Sequence, residues 1–240
     1  MSSLRRDPSE EFVPLVDDGS NKILVATGRT IWDNVPILAV ISGLLMLVTT
    51  IFLIVASLTG WLVAWIPMTI VLAPCWLAAV RAGDRMLDGF GQGYRDLVRS
   101  IGHNAKTAIV IAIVPAISGF VSLWLLEHTA GESGETLLRA VFLLSLGVGA
   151  SVAILCGPTF AAAARYGAGP RNAWLIGARI VATRPIQKLG LLGSLLIVLW
   201  LAVAAGPVVL LALGPFAVLT AALSRVPLDL EFAEITTTDR

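Results

Sequence analysis

Asp84 and Asp88 stand four residues apart, beside Arg81 and Arg85. Two carboxylates one helical turn apart could pass protons or hold a cation. The plainer reading is a row of ion pairs on one helix surface, Arg81 or Arg85 with the neighbouring acids, and the i, i+4 spacing favours it. Glu127, Glu132 and Glu135 could hold a cation weakly, but a solvated loop accounts for them better. His103 and His128 fall on opposite sides of the spans derived below, so they cannot share a metal. His103 is read at an interface and His128 in a solvated loop. Cys75 and Cys156 lie 81 positions apart in apolar runs and form no metal or redox motif; they read as small buried hydrophobes. There is no phosphate-binding glycine loop ending in Lys-Ser/Thr, no Gly-x-Ser-x-Gly and no His-Glu-x-x-His. The glycine-rich stretch Gly89-Phe90-Gly91-Gln92-Gly93 does not follow a strand and reads as a flexible joint. No catalytic, cofactor-binding or metal-ligating residue is assigned, and the expectation is a protein that is not an enzyme.

What must position these residues follows from composition. The chain has 240 residues, 57% of them apolar and 14% charged, and its mean hydropathy is +0.86. A soluble domain carries about 45–50% apolar and about 25% charged residues. The excess of apolar side chains excludes both an ordinary soluble domain and a disordered chain, leaving a membrane protein. The formal net charge of +1, from 17 basic and 16 acidic residues, argues against a nucleic-acid partner.

A bilayer core of about 30 Å needs about 20 apolar residues in a helix. Six runs qualify or nearly so: Val35–Leu58, Trp61–Val80, Thr107–Leu126, Leu137–Ala164, Ile186–Ala205 and Pro207–Ser224. The expected fold is an all-α bundle of six transmembrane helices over 35–224. A flexible cytoplasmic segment, 1–34, precedes it, and a cytoplasmic tail, 225–240, follows. The first run is too long for a signal-peptide core, so it reads as a span. Tight turns are expected at Thr59-Gly60 and Gly206-Pro207, and a kink or early end at Gly157-Pro158.

With six spans, 16 of the 17 Lys and Arg residues fall on one side, and Arg139 is the exception. The positive-inside rule then places both termini in the cytoplasm. The tryptophans agree: Trp61, Trp65, Trp124 and Trp200 fall near the outer interface, and Trp32, Trp76 and Trp174 near the inner one. Anchoring and packing account for all seven. The span interiors hold no ionisable residue, only serines and threonines such as Ser118, Ser122 and Ser145, which argues against a proton-coupled carrier.

Two inner loops carry helical patterns. Phe90, Tyr94, Leu97, Val98 and Ile101 share one face of a helix over about 90–103. Trp174, Leu175, Ala178 and Val181 give a less regular face over 170–183, where Pro170 suits a first helical turn. Both are expected to lie in the cytoplasmic interface or to cover the inner mouth of the bundle. A parallel repeat also emerges at an offset of 84. It sets Pro74 on Pro158, Arg81 on Arg165, Gly83 on Gly167 and Arg95 on Arg179, and a two-residue gap then sets Lys106 on Lys188. Pro74 and Pro158 would each free a backbone carbonyl one turn earlier. Arg81, Arg95, Arg165 and Arg179 could form a basic ring at the cytoplasmic mouth, binding an anion or docking a cytoplasmic partner. Contact with acidic lipid headgroups is the preferred reading of the four.

Several short motifs resemble the YesL-like family of bacterial integral membrane proteins, a family named for a domain of unknown function. In the first half they are Trp32-Asp33-Asn34, Pro67-Met68-Thr69, Leu72 to Arg81, Tyr94-Arg95-Asp96-Leu97 and His103-Asn104. In the second half they are Ala164-Arg165-Tyr166-Gly167, Arg171-Asn172-Ala173 and Arg184-Pro185. The resemblance covers about residues 29–224. It departs at the long acidic N-terminal segment and the acidic outer loop. It implies a multi-pass protein of the bacterial inner (cell) membrane that accompanies carbohydrate-uptake transporters, with no cofactor and no catalytic residue to carry over. The expected partners are the lipid bilayer and a sugar-uptake transporter or its subunits. The alternative is a small transporter or channel with its pathway between the two repeats.

Overall fold

The computed structural model describes residues 27–90, 93–129, 136–183 and 212–238. It is helical, with no strand among the described residues. After a short helix over residues 27–33 come α1 (Val35–Thr59), α2 (Trp61–Leu87), α3 (Tyr94–Thr129), α4 (Thr136–Tyr166), α5 (Pro170–Thr183) and α6 (Leu213–Thr238).

Four of these, α1 to α4, are long and apolar enough to cross a membrane. Pro36 enters α1 in its first turn, where a missing N–H costs nothing. The expected tight turn holds: α1 ends at Thr59, α2 starts at Trp61, and Gly60 between them takes a φ of 90°. At the far end of α2, Gly89 has a φ of 78°, its N–H donates to the Met86 carbonyl, and that of Phe90 donates to Arg85. This left-handed stop satisfies carbonyls that α2 leaves open. The glycine expected to be a flexible joint therefore terminates a helix.

The bundle is organised around α2, which packs against α1, α3, α4 and α6. Its inward side is largely small: Ala73, Ala78, Ala79 and Ala82 are buried, and Ala161 to Ala164 of α4 join the same core. Small side chains let helix backbones approach, the packing mode available where lipid is as apolar as leucine. A Cβ on Gly83 would stand 2.9 Å from the Cα of Val218 on α6, so that crossing depends on glycine. The outer surface is apolar instead: Leu58 is 79% exposed, Leu144 70% and Val63 64%. Water would not tolerate so continuous a greasy face, whereas a bilayer solvates it.

Three boundaries differ from the sequence reading. The segment 90–103, expected as a separate interfacial helix, is instead mostly the start of α3, a continuous helix of 36 residues. At 1.5 Å per residue α3 is about 54 Å long, well beyond the hydrocarbon core. The apolar stripe expected over 90–103 divides: Leu97 is buried and Ile101 packs against the core, while Phe90, Tyr94 and Val98 are exposed. α4 does not end early at Gly157-Pro158 but runs on to Tyr166, with the Thr159 hydroxyl donating to the Leu155 carbonyl at 2.7 Å. α6 continues past Ser224, the expected end of the sixth span, to Thr238. The expected span Ile186–Ala205, the junction at Gly206-Pro207 and the first 26 residues lie outside the described residues.

The glycines matched by the offset of 84 play different parts. Gly83 lies inside α2 against Val218, whereas Gly167 follows the end of α4 with a φ of 62°. Arg95 lies in the first turn of α3 and Arg179 well inside α5.

Candidate functional site

The charged residues gather where α2 ends, α3 begins and α4 ends, in two groups on different sides of α2. The first group is inward. Leu77, Val80 and Asp84 follow the i, i+3, i+7 spacing of a buried stripe, so Asp84 is carried into the packing between α2 and α4. There Arg165 donates to it at 2.9 Å, with side chains only 12% and 19% exposed. Arg165 also stands 3.9 Å from Asp88, which pairs in turn with Arg225 of α6. Two carboxylates and two guanidiniums therefore join three helices. The expected pairs of Asp84 and Asp88 with Arg81 or Arg85 do not form among the described residues. The i, i+4 rule matches neighbours along one helix, but the turn that buries Asp84 aims it at another helix.

The second group faces the start of α3. Arg81 and Arg85 are one turn apart on α2, and Arg99 and His103 are one turn apart on α3. Together with Asp96, Ser100 and Asn104 they line an open cavity of about 320 Å³. Asn104 Nδ2 donates to the Ser100 carbonyl at 3.1 Å and to its hydroxyl oxygen at 3.3 Å, fixing that wall. Among the described residues, Arg81, Arg85 and Arg99 have no acidic side chain within 4.0 Å, Asp96 included. Three guanidiniums thus converge on solvent-accessible space with one carboxylate among them.

The four arginines expected as a ring consequently sit in different surroundings. Arg165 is committed to Asp84, Arg81 lines the cavity, and Arg95 and Arg179 are exposed on α3 and α5. Pro74 and Pro158 are both buried inside helices. Sequence reasoning missed Arg99, His103 and Arg225 as members of either group. The matching i, i+4 pairs on two helices joined by a short connection were the available signal for the first two. Arg225 carried none, because nothing in the sequence says that α6 returns to Asp88.

Elsewhere the polar groups are structural. Trp65 Nε1 donates to the Ala116 carbonyl at 2.8 Å, seating its ring where a Cβ on Gly119 would collide with it. Trp61 stacks edge-on against Phe52, and Trp76 lies against Phe216. Thr49, Thr69 and Ser151 donate to carbonyls one turn back, and Ser122 reaches Ser145 across α3 and α4 at 3.4 Å. Ser118 Oγ and Trp174 Nε1 are buried without a hydrogen-bond partner among the described residues. Cys75 and Cys156 are free thiols. No group of three or more His, Cys, Asp or Glu among the described residues could hold a metal ion. No family model, curated protein or solved structure matches the chain.

Proposed function

We propose that this chain is a six-span, non-enzymatic protein of a bacterial inner membrane, with both termini in the cytoplasm, and that it serves as an accessory to a carbohydrate-uptake transporter. The observation that carries the reading is the surface left uncovered beside the arginines. Tyr94 and Val98 lie one turn apart on α3 and Phe90 just before it; all three are exposed, Phe90 and Val98 each 68%. Large apolar side chains flanked by cations, at the end of a helix longer than a bilayer is thick, suit contact with another membrane-associated chain. The resemblance to YesL-like proteins supplies the class of that partner. The positive-inside rule supplies the orientation.

The test is affinity purification of the tagged full chain from its own membranes in mild detergent. Transporter subunits should copurify, and changing Phe90, Tyr94 and Val98 to Ser should release them. A chain that purifies alone, or one whose companions are unaffected by those changes, would remove the support for an accessory role. A second reading, a small transporter or channel, draws on an apolar cleft of about 220 Å³ where α2, α3 and α4 meet, lined by Trp65, Trp76, Cys156 and Phe160 among others. Solute flux through reconstituted chain, lost on changing Arg81 and Arg165 to Ala, would favour it.

A further inference from the structure

We infer that the cavity between the end of α2 and the start of α3 is a binding site for a phosphate-bearing anion. Its walls are two ridges, Arg81 and Arg85 on one helix and Arg99 and His103 on the other. Each ridge is spaced at one helical turn, so its two side chains leave the same face of their helix, and three of the four are guanidiniums. Like charges brought together raise the energy of the empty arrangement, and an anion between them lowers it. Guanidinium groups match phosphate in particular, since their planar forks offer paired N–H donors to two oxygens. The Ser100 hydroxyl accepts from Asn104 and keeps its own proton to donate into the same space.

The contrast with the neighbouring cluster makes the assignment specific. A few residues away on the same helix, Asp84 and Asp88 are matched with Arg165 and Arg225. This end of the bundle therefore has acids within reach of α2, yet they neutralise the other arginines. Asp96 is the single carboxylate lining the cavity. It leaves an excess of positive charge and would repel a ligand with too many negative groups at its own wall. A single phosphate monoester or diester fits that balance better than a polyphosphate. The chemistry is shared by two sources, the headgroup of an acidic phospholipid and a soluble phosphate. The assignment holds whether or not the chain assists a transporter.

The experiment uses the purified full chain in phosphatidylcholine nanodiscs. One arm titrates inorganic phosphate and reads the thermal midpoint. The other exchanges in phosphatidylglycerol and reads lipid retention by native mass spectrometry. The cavity variant Arg81→Gln/Arg85→Gln/Arg99→Gln is compared with Arg29→Gln/Arg95→Gln/Arg171→Gln, which removes as much charge away from the cavity. Circular dichroism establishes that both variants keep their helices, and each single Arg→Gln change serves if the triple does not. Binding in at least one arm, weakened about tenfold or more in the cavity variant and little in the control, is the expected result, and the arm that responds names the source. No binding in either arm, or equal loss in the two variants, would overturn the proposal.

Discussion

At the scale of single residues, the pairing of Asp84 with Arg165 is the most consequential contact. Removing one partner of a shielded pair strands the other charge, whereas replacing both with apolar groups relieves the desolvation cost. Asp84→Asn should therefore destabilise the protein by about 1–3 kcal/mol, between the values for exposed and fully buried pairs. Asp84→Leu combined with Arg165→Met should recover most of that loss. Unfolding in mixed micelles, followed by circular dichroism, measures both; equal losses in the single and double variants would refute the coupling. Asp88→Asn should cost less, because its side chain is 29% exposed and water can take over part of the partner's role. The acids and their helical spacing were legible in the sequence, and so was the stripe Leu77, Val80, Asp84 that buries one of them. The partner was not, since it lies 81 residues away and only the packing of α2 on α4 brings it near.

At the scale of elements, close crossings decide which glycines matter. A Cβ on Gly177 of α5 would collide with the Thr159 hydroxyl and stand 3.2 Å from its backbone nitrogen, whereas one on Gly102 of α3 would meet nothing within 4 Å. Alanine gains about 1 kcal/mol over glycine in a helix interior. Gly102→Ala should thus stabilise by up to about that amount, while Gly177→Ala should destabilise by about 1–3 kcal/mol through overpacking. The same unfolding assay reads both, and matching signs would contradict the crossing. Hydropathy located α1 and the apolar parts of α2, α3 and α4. It could not locate their ends, because a helix stops where its capping residues permit and not where its apolar run stops. α2 continues seven residues past Val80 to Leu87, until Gly89 supplies the left-handed stop. Nothing between Ile101 and Thr107 breaks α3, so an interface segment and a span become one helix.

At the scale of the whole molecule, an alanine-rich centre lies under a leucine- and valine-rich exterior. The described residues contain four helices able to cross a membrane, and the proposed topology adds two more. That topology has a direct test. In a Cys75→Ser/Cys156→Ser background, a cysteine placed at Glu132 should react with an impermeant maleimide on intact cells. One placed at Arg171 should react only after the membrane is opened. The reverse pattern, or equal labelling, would exclude the assigned orientation. The side-by-side arrangement of the two charged groups was not legible at this scale. Counting arginines per loop proposes a side of the membrane for them but not which of them meet an acid.

The cluster that joins α2, α4 and α6 also ties the maturation of this protein to its completion. The ribosome delivers Asp84 and Asp88 well before Arg165, and Arg225 only midway through α6. Until Arg165 and then Arg225 are made, one or both carboxylates lack the cation that a later helix brings. Closure of this end is therefore a late event in biogenesis. Nascent chains arrested after α5 should be digested by added protease faster than the full chain, and Arg225→Gln should give the full chain part of the same sensitivity.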